Sequence, residues 1–369
     1  MKVVQILHEL KFSGAEIMYV DAAPFFREKG CDLTVMATAP VVGEYSVHFE
    51  NAGYKVVHNP YPARRNYLSR LLYWASFTSF IKKEKFDVIH IHTSAIMWEI
   101  AFCSWLAGIR SVFTFHSVFT SHFYSYPLHL IQRWTAKKIF GCKFQSISDS
   151  VYEHELEKYH NNTIKINNWY GLNRFYPAGI EEKKQVRREL NIPEEALVLI
   201  SIGECSPIKR HSDIIMALPR ICLSHPSVLY LHLGKGDMEE VEIELAAGLG
   251  VRNNVRFCGN RKEVRMFLVA ADIYVMTSKY EGISITTIEA MACGVPAILY
   301  DVAGLCDFNK TGKNCMLIAE DYNLLAETVI YLYTHPELSQ LLSHRALELV
   351  KNSYNLNKNA SGIYQLYSN

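Results

Sequence analysis

Apolar residues in this chain gather in short unbroken runs, and they seldom alternate with polar ones. Residues 1–8, 32–38, 54–59, 86–92, 111–117, 144–149 and 163–168 each read as a strand, and helical spacing fills most of the gaps between them. The same rhythm returns at 196–203, 272–278 and 297–304, with strand-to-helix stretches at 228–240 and 254–264, and NCMLIAED and helices from about 321 to 353 complete a second set. Runs that are apolar on both faces suit parallel strands covered by helices. Strands alternating with helices predict doubly wound parallel sheets, an α/β protein. Residues 64–85 (RRNYLSRLLYWASFTSFIKKEK) show an amphipathic, aromatic helix pattern with basic ends. Such a helix either lays its apolar side on a sheet or rests on an anionic membrane surface. Such a helix more often packs on the sheet, and LIQRWTAKKIF adds a little to the membrane side.

One stretch concentrates candidate chemistry. The run DIYVMTS leads into EGISITTIEAMACGVP, in the order strand, glycine turn and helix start, and the helix stops at Gly294 before Pro296. In an open α/β sheet, ligands bind at the carboxyl ends of strands. A helix N-terminus there offers free N–H groups and a dipole suited to phosphate. Glu281 falls in the turn and Glu289 about one turn into the helix, eight positions on. A ligand with a diphosphate between two sets of sugar hydroxyls fits this order. The alternative is structural: Thr286 and Glu289 have capping-box spacing, and Glu281 is then a solvated loop acid.

Composition narrows the choice. A chain of 369 residues with a hydrophobic fraction of 49% suggests two domains of ordinary size. A net charge of +1 gives no sign of a nucleic-acid partner. The nine cysteines are odd in number and contain no C-x-x-C pair, which reads as reduced, mostly buried thiols of a cytosolic protein without a zinc site. The N-terminal apolar run is too short for a signal-peptide core, and no window approaches eighteen apolar residues. A cytoplasmic protein is expected, with the inner face of the membrane as the other location the basic aromatic helices allow.

Glu281-x7-Glu289 followed by AMACGVP resembles the signature of the retaining glycosyltransferases of family 4, which have the GT-B fold. The resemblance implies two Rossmann-like doubly wound domains facing a central cleft. Residues 1–175, joined by a C-terminal helix at about 355–369, are the acceptor side, and residues 176–354 are the donor side. It places Glu289 on ribose hydroxyls and Glu281 on hydroxyls of the transferred sugar. The backbone of Gly282, Ile283, Ser284 and Ile285 then lines the diphosphate and sugar. Gly203, Glu204, Lys209 and His211 are similar to the G-E-L-x-x-x-K-x-H pattern of exopolysaccharide and capsule transferases. There Lys209 meets the diphosphate, Glu204 stands where an arginine is usual, and Arg210 is the candidate replacement.

Other positions carry over in the same way. Gly234, in a Gly-x-Gly turn, closes the nucleotide site, with Asn260 and Arg261 near the base. Gly14, in Ser13-Gly14-Ala15-Glu16, sits near the donor phosphates, or else is a plain strand-to-helix turn. His116, in a T-x-H match, is favoured over His92 as the histidine near the donor sugar, though a histidine ending a strand is more often structural. The following VFTSHFYSYP is a weak pointer to the acceptor. In NNWYGLNRFYP, Asn168, Arg174, Phe175 and Pro177 keep the family spacing, while Trp169 and Gly171 depart from it.

The implied activity is retaining transfer of a sugar from a nucleotide diphosphate sugar to an acceptor hydroxyl, with UDP favoured over GDP. His116, Lys209 and Glu281 are the residues expected to carry the chemistry. No metal and no cofactor beyond the nucleotide sugar are expected. The acceptor is a glycan or lipid-linked glycan of cell-surface polysaccharide or glycolipid assembly, with peripheral membrane contact as a further partner. The rivals are a nucleotide-sugar epimerase, a phosphorylase, and a non-catalytic sugar-nucleotide-binding protein that has kept the fold.

Overall fold

Among the described residues the apolar runs become thirteen strands, most of them shorter than the runs themselves. The structure is a computed structural model that describes residues 1–63, 66–118 and 125–368. The chain separates into two units, Met1–Gly171 with Leu356–Asn369, and Leu172–Asn355.

The first unit is built on a parallel sheet of β1 (Lys2–Leu7), β2 (Asp32–Ala37), β3 (Lys55–His58), β4 (Val88–Ile91), β5 (Arg110–Phe115), β6 (Lys143–Ser146) and β7 (Ile164–Lys165), in the order β3-β2-β1-β4-β5-β6-β7. β1 pairs β2 from Lys2↔Asp32 to Leu7↔Ala37 and β4 from Val3↔Val88 to Ile6↔Ile91. Val3, Val4, Ile6, Val88, Ile89 and Ile91 are fully buried, as a sheet covered on both faces requires. Between them runs a polar chain. His90 meets Tyr367 Oη at 2.6 Å and Thr114 Oγ1 at 2.7 Å, and Thr114 donates to Gln145.

Tyr367 belongs to the last helix, Leu356–Ser368, whose Asn359 also donates to Asn168 O at 3.0 Å. That helix is thus part of the first unit's core. Trp169, one of the departures from the family pattern, is buried there too. Its Nε1 donates to Met18 O at 2.8 Å, and its ring meets Tyr19 edge-on.

The basic aromatic segment forms the helix Tyr67–Lys83, capped by Asn66, whose side chain accepts from Ser69 N at 3.0 Å. Its two leading arginines, 64 and 65, lie outside the described residues, as does most of the VFTSHFYSYP stretch (119–124). The helix follows the expected packing on the domain only from Tyr73 onward. Tyr73, Phe77 and Ile81 are buried, whereas Tyr67, Leu68, Leu71 and Leu72 are exposed.

The second unit repeats the design with six parallel strands. They are β8 (Val198–Ile202), β9 (Leu229–Leu233), β10 (Val255–Gly259), β11 (Ile273–Met276), β12 (Ala297–Tyr300) and β13 (Met316–Ile318), in the order β10-β9-β8-β11-β12-β13. Leu199, Tyr230, Ile273, Val275, Ile298 and Tyr300 meet Ile214, Leu218, Val329 and Leu332 of the covering helices in one core. Both units are Rossmann-like, with strand order reversing at β1/β4 in the first and β8/β11 in the second. Such reversals open a crevice beyond the carboxyl ends of the two strands.

Candidate active site

The crevice of the second unit is where the conspicuous residues meet. β8 runs out into Gly203 and Glu204, and its neighbour β11 runs out through Thr277 and Ser278 to Glu281. The two turns are stitched together. Thr277 Oγ1 donates to the carbonyls of Lys209 and Arg210 at 3.1 and 2.9 Å, and Lys279 N donates to Ile208 O at 2.8 Å. This brings Lys209 Nζ to 2.6 Å from Glu281 Oε1, which also accepts from Ser278 Oγ at 2.7 Å. The pair is 72 residues apart in sequence, and both side chains are largely shielded from water. The turn of β12 supports it from behind. Glu281 N donates to Ala303 O at 2.9 Å, and a Cβ at Gly304 would lie 2.4 Å from Glu281 O.

The helix Ile285–Ala292 starts at the same place. Its N-cap is Ser284, whose Oγ accepts from Thr287 N at 3.2 Å. Thr286 turns instead to Tyr274 Oη at 2.8 Å and Ile202 O at 3.2 Å, which docks the first turn on the end of β8. A capping box led by Thr286 is therefore absent. Glu289 lies five residues past the true cap, too far to serve as the box's acid, and is buried at 6% exposure.

Gly234 is required by geometry. It has φ +142°, and a Cβ there would sit 1.8 Å from Gly203 O, so the β8 and β9 turns touch through glycine alone. Gly234 N donates to Gly259 O at 3.0 Å, which sets the β10 turn and the following exposed Asn260 and Arg261 beside it. Arg261 Nε is engaged by Cys258 O at 2.8 Å. Arg210, next in the chain, is engaged elsewhere. One guanidinium nitrogen lies 2.6 Å from Asp213, the other bonds Glu320, and the group stacks over Tyr300. Lys209, and not Arg210, is the cation touching Glu281. Glu204 is exposed beside Gly203.

In the first unit, Gly14 is the first residue of the helix Gly14–Asp21, and Ser13 bonds the buried Glu16 across the turn. His116 follows β5, with Nε2 at 2.9 Å from Nδ1 of His92, which follows the adjacent β4. The favoured histidine and its rival are hydrogen-bonded to each other. Burial pushes His116 down to about 4 and His92 well below its ordinary value, so both rings are neutral near pH 7.

Family models match on both sides of this geometry. The model "Glycosyl transferases group 1" matches residues 182–348, and "Glycosyltransferase Family 4" matches residues 12–154. The chain is a family-4 glycosyltransferase. Among similar proteins is the N-acetyl-alpha-D-glucosaminyl L-malate synthase of Bacillus anthracis, 26% identical over 78% of this chain and 75% of that one. Another is the UDP-Gal:alpha-D-GlcNAc-diphosphoundecaprenol alpha-1,3-galactosyltransferase of Escherichia coli, 23% identical over 79% and 78%. Among solved structures, Anabaena Alr3699/HepE in complex with UDP superposes with a TM-score of 0.85 over the whole of both chains at 19% identity. That likeness establishes the fold, GT-B.

In this glycosyltransferase the described residues of the second unit supply a lysine, a helix N-terminus and two shielded carboxylates near one crevice. Such a set can hold an anion and several hydroxyls at once. Ser278 and Thr277 were not singled out from the sequence. Their signal was a pair of hydroxyls ending an apolar strand, just where the sheet order reverses.

Proposed function

We propose that the enzyme transfers a sugar from a nucleotide diphosphate sugar, UDP in preference to GDP, to an acceptor hydroxyl with retention of configuration. The observation that carries this reading is the Lys209–Glu281 contact beside the N-terminus of the helix holding Glu289. Glu289 takes the ribose hydroxyls and Glu281 the hydroxyls of the sugar. Lys209 and the N–H groups at Ser284–Thr286 face the diphosphate. As the bond between the sugar's anomeric carbon and the phosphate oxygen breaks, negative charge builds on the leaving diphosphate, and these preorganised groups stabilise it. The acceptor oxygen bonds the same face of that carbon, and its proton passes to the leaving phosphate, so no protein base is assigned. His116 of the first unit is neutral, so it carries hydrogen-bonding capacity and no charge. No cofactor is needed, and no metal bridges the diphosphate.

The acceptor is a glycan or lipid-linked glycan of cell-surface assembly. The Escherichia coli relative's diphosphoundecaprenol-linked acceptor and UDP-Gal donor support that class and the preference for UDP. Exposed Tyr67, Leu68, Leu71 and Leu72, with Leu128, Ile131 and Trp134 on the helix Tyr126–Lys138, support contact with a membrane surface. No helix among the described residues is long and apolar enough to cross a membrane.

The test is turnover with α-configured UDP- and GDP-sugars and a panel of glycan and lipid-linked acceptors. Product linkage is read by proton NMR, with and without added Mg²⁺ or Mn²⁺. An α-linked product formed from a UDP-sugar, at a rate the ions change less than about twofold, supports the proposal. A β-linked product refutes retention. Sugar epimerised without acceptor refutes transfer.

A further inference from the structure

A second cluster lies inside the two turns that shape the donor crevice. Cys205 sits in the turn after β8, His232 near the end of β9, and Glu242 in the helix Glu239–Gly248 that follows. All three are buried, and one ligand atom of each lies within 4.8 Å of the others. Cys205 Sγ and His232 Nε2 are 2.9 Å apart. The other ring nitrogen, Nδ1, lies 3.3 Å from both Ser201 Oγ and Tyr230 Oη. Those hydroxyls can hold the ring proton on Nδ1 and turn the Nε2 lone pair toward the thiol. Metal-bound histidines have their second nitrogen fixed in the same way.

Glu242 adds an independent sign. It is 2% exposed, and its Oε2 has no hydrogen-bond partner. A buried carboxylate oxygen without a donor is unfavourable until a proton or a cation meets it. The sugar-transfer scheme uses none of the three residues.

We propose that Cys205, His232 and Glu242 bind one divalent cation of the zinc class. A sulfur, nitrogen and oxygen donor set selects zinc or cobalt, whereas magnesium and calcium favour all-oxygen sets. In a tetrahedral site, metal–sulfur and metal–nitrogen bonds of about 2.3 and 2.0–2.1 Å place the two ligand atoms about 3.6 Å apart. The 2.9 Å contact therefore opens by about 0.7 Å on binding. The cation takes the thiolate, and the thiol proton leaves to solvent. The backbone is already set. Cys205 N donates to Lys235 O at 3.2 Å, Met238 N donates to Cys205 O at 3.1 Å, and a Cβ at Gly236 would lie 2.4 Å from Cys205 O. The metal thus pins the segment carrying Glu204 and Lys209 to the Gly234 turn. A water takes the fourth position of the tetrahedron, and the ion's part is to hold the two turns together, with no part in the sugar transfer.

The experiment titrates Co²⁺ into the reduced, metal-stripped full-length chain. One equivalent should bind with a sulfur-to-cobalt charge-transfer band in the near ultraviolet and the visible bands of tetrahedral cobalt. Zn²⁺ should displace it. Cys205→Ser should abolish the charge-transfer band, and Glu242→Gln, which keeps the side chain's shape, should weaken cobalt affinity at least about tenfold. A wild-type chain with no charge-transfer band in excess Co²⁺ overturns the proposal. So does a band that survives Cys205→Ser, or an affinity unchanged in Glu242→Gln.

Discussion

Replacing Lys209 by methionine removes the charge and keeps most of the stem's volume, so its consequences can be worked from the structure. Lys209 and Glu281 keep 24% and 14% of their side-chain surface exposed, which puts the pair between an exposed ion pair and a buried one. Exposed pairs contribute about 0.2–1 kcal/mol, whereas removing one partner of a buried pair costs about 3–5 kcal/mol. Ser278 still donates to the orphaned carboxylate, so a loss of about 2 kcal/mol is expected. For a unit of this size that lowers the melting temperature by roughly 4–8 °C. The effect on turnover is larger. Losing one preorganised partner of the leaving diphosphate costs about 10²–10³ in kcat, some 3–4 kcal/mol of barrier. The double variant Lys209→Met/Glu281→Gln tests the stability loss alone, because a neutral amide no longer needs the cation. Its melting temperature recovers most of the loss while its turnover stays low. The assay pairs steady-state kinetics on a UDP-sugar with thermal unfolding. Turnover of Lys209→Met within about fivefold of the parent would refute the reasoning and leave Lys209 a structural partner of Glu281.

Gly234→Ala must move the β8 turn, since its Cβ falls 1.8 Å from Gly203 O at φ +142°. A loss of more than about 3 kcal/mol in denaturant unfolding is expected, and a loss below about 1 kcal/mol would contradict the geometry. Burial pushes His90 down to about 3 and His116 to about 4, against about 6.5 in the unfolded chain. The unfolded chain therefore takes up protons first. Stability is complete above pH 6.5 and falls toward pH 4, by up to about 1.4 kcal/mol per pH unit for each ring. Urea midpoints at pH 7 and pH 5 should differ less in His116→Gln than in the parent, and equal differences would refute the assignment. Leu68→Glu/Leu71→Glu should abolish sedimentation with anionic vesicles and leave the melting temperature within about 2 °C, because both side chains are exposed. Sedimentation unchanged from the parent would remove this helix from any membrane contact.

The sheets were legible because a strand buried on both faces writes itself as an unbroken apolar run, and β11 and β12 do so plainly. The acids of the motif were legible by spacing around one glycine turn. Residues that meet only through the fold were not. The Lys209–Glu281 contact joins positions 72 apart. Arg210 read as a spare phosphate ligand because nothing local shows Glu320, which arrives from beyond β13. Cys205, His232 and Glu242 lack metal-site spacing and converge only when β8 and β9 lie side by side. Thr286 and Glu289 fitted a capping box on paper, but Ser284 caps the helix and frees Thr286 for Ile202.

The central claim is that the second unit's crevice binds the nucleotide half of the donor through Glu289. Titration calorimetry of the parent and of Glu289→Ala with UDP, GDP and ADP tests it most directly. The account predicts one UDP per chain bound more tightly than GDP or ADP. It also predicts a 10- to 100-fold weaker dissociation constant in the variant, the equivalent of about 1.5–3 kcal/mol for hydrogen bonds to a charged group. Equal UDP affinity in the two proteins, with both folded by thermal unfolding, would contradict it.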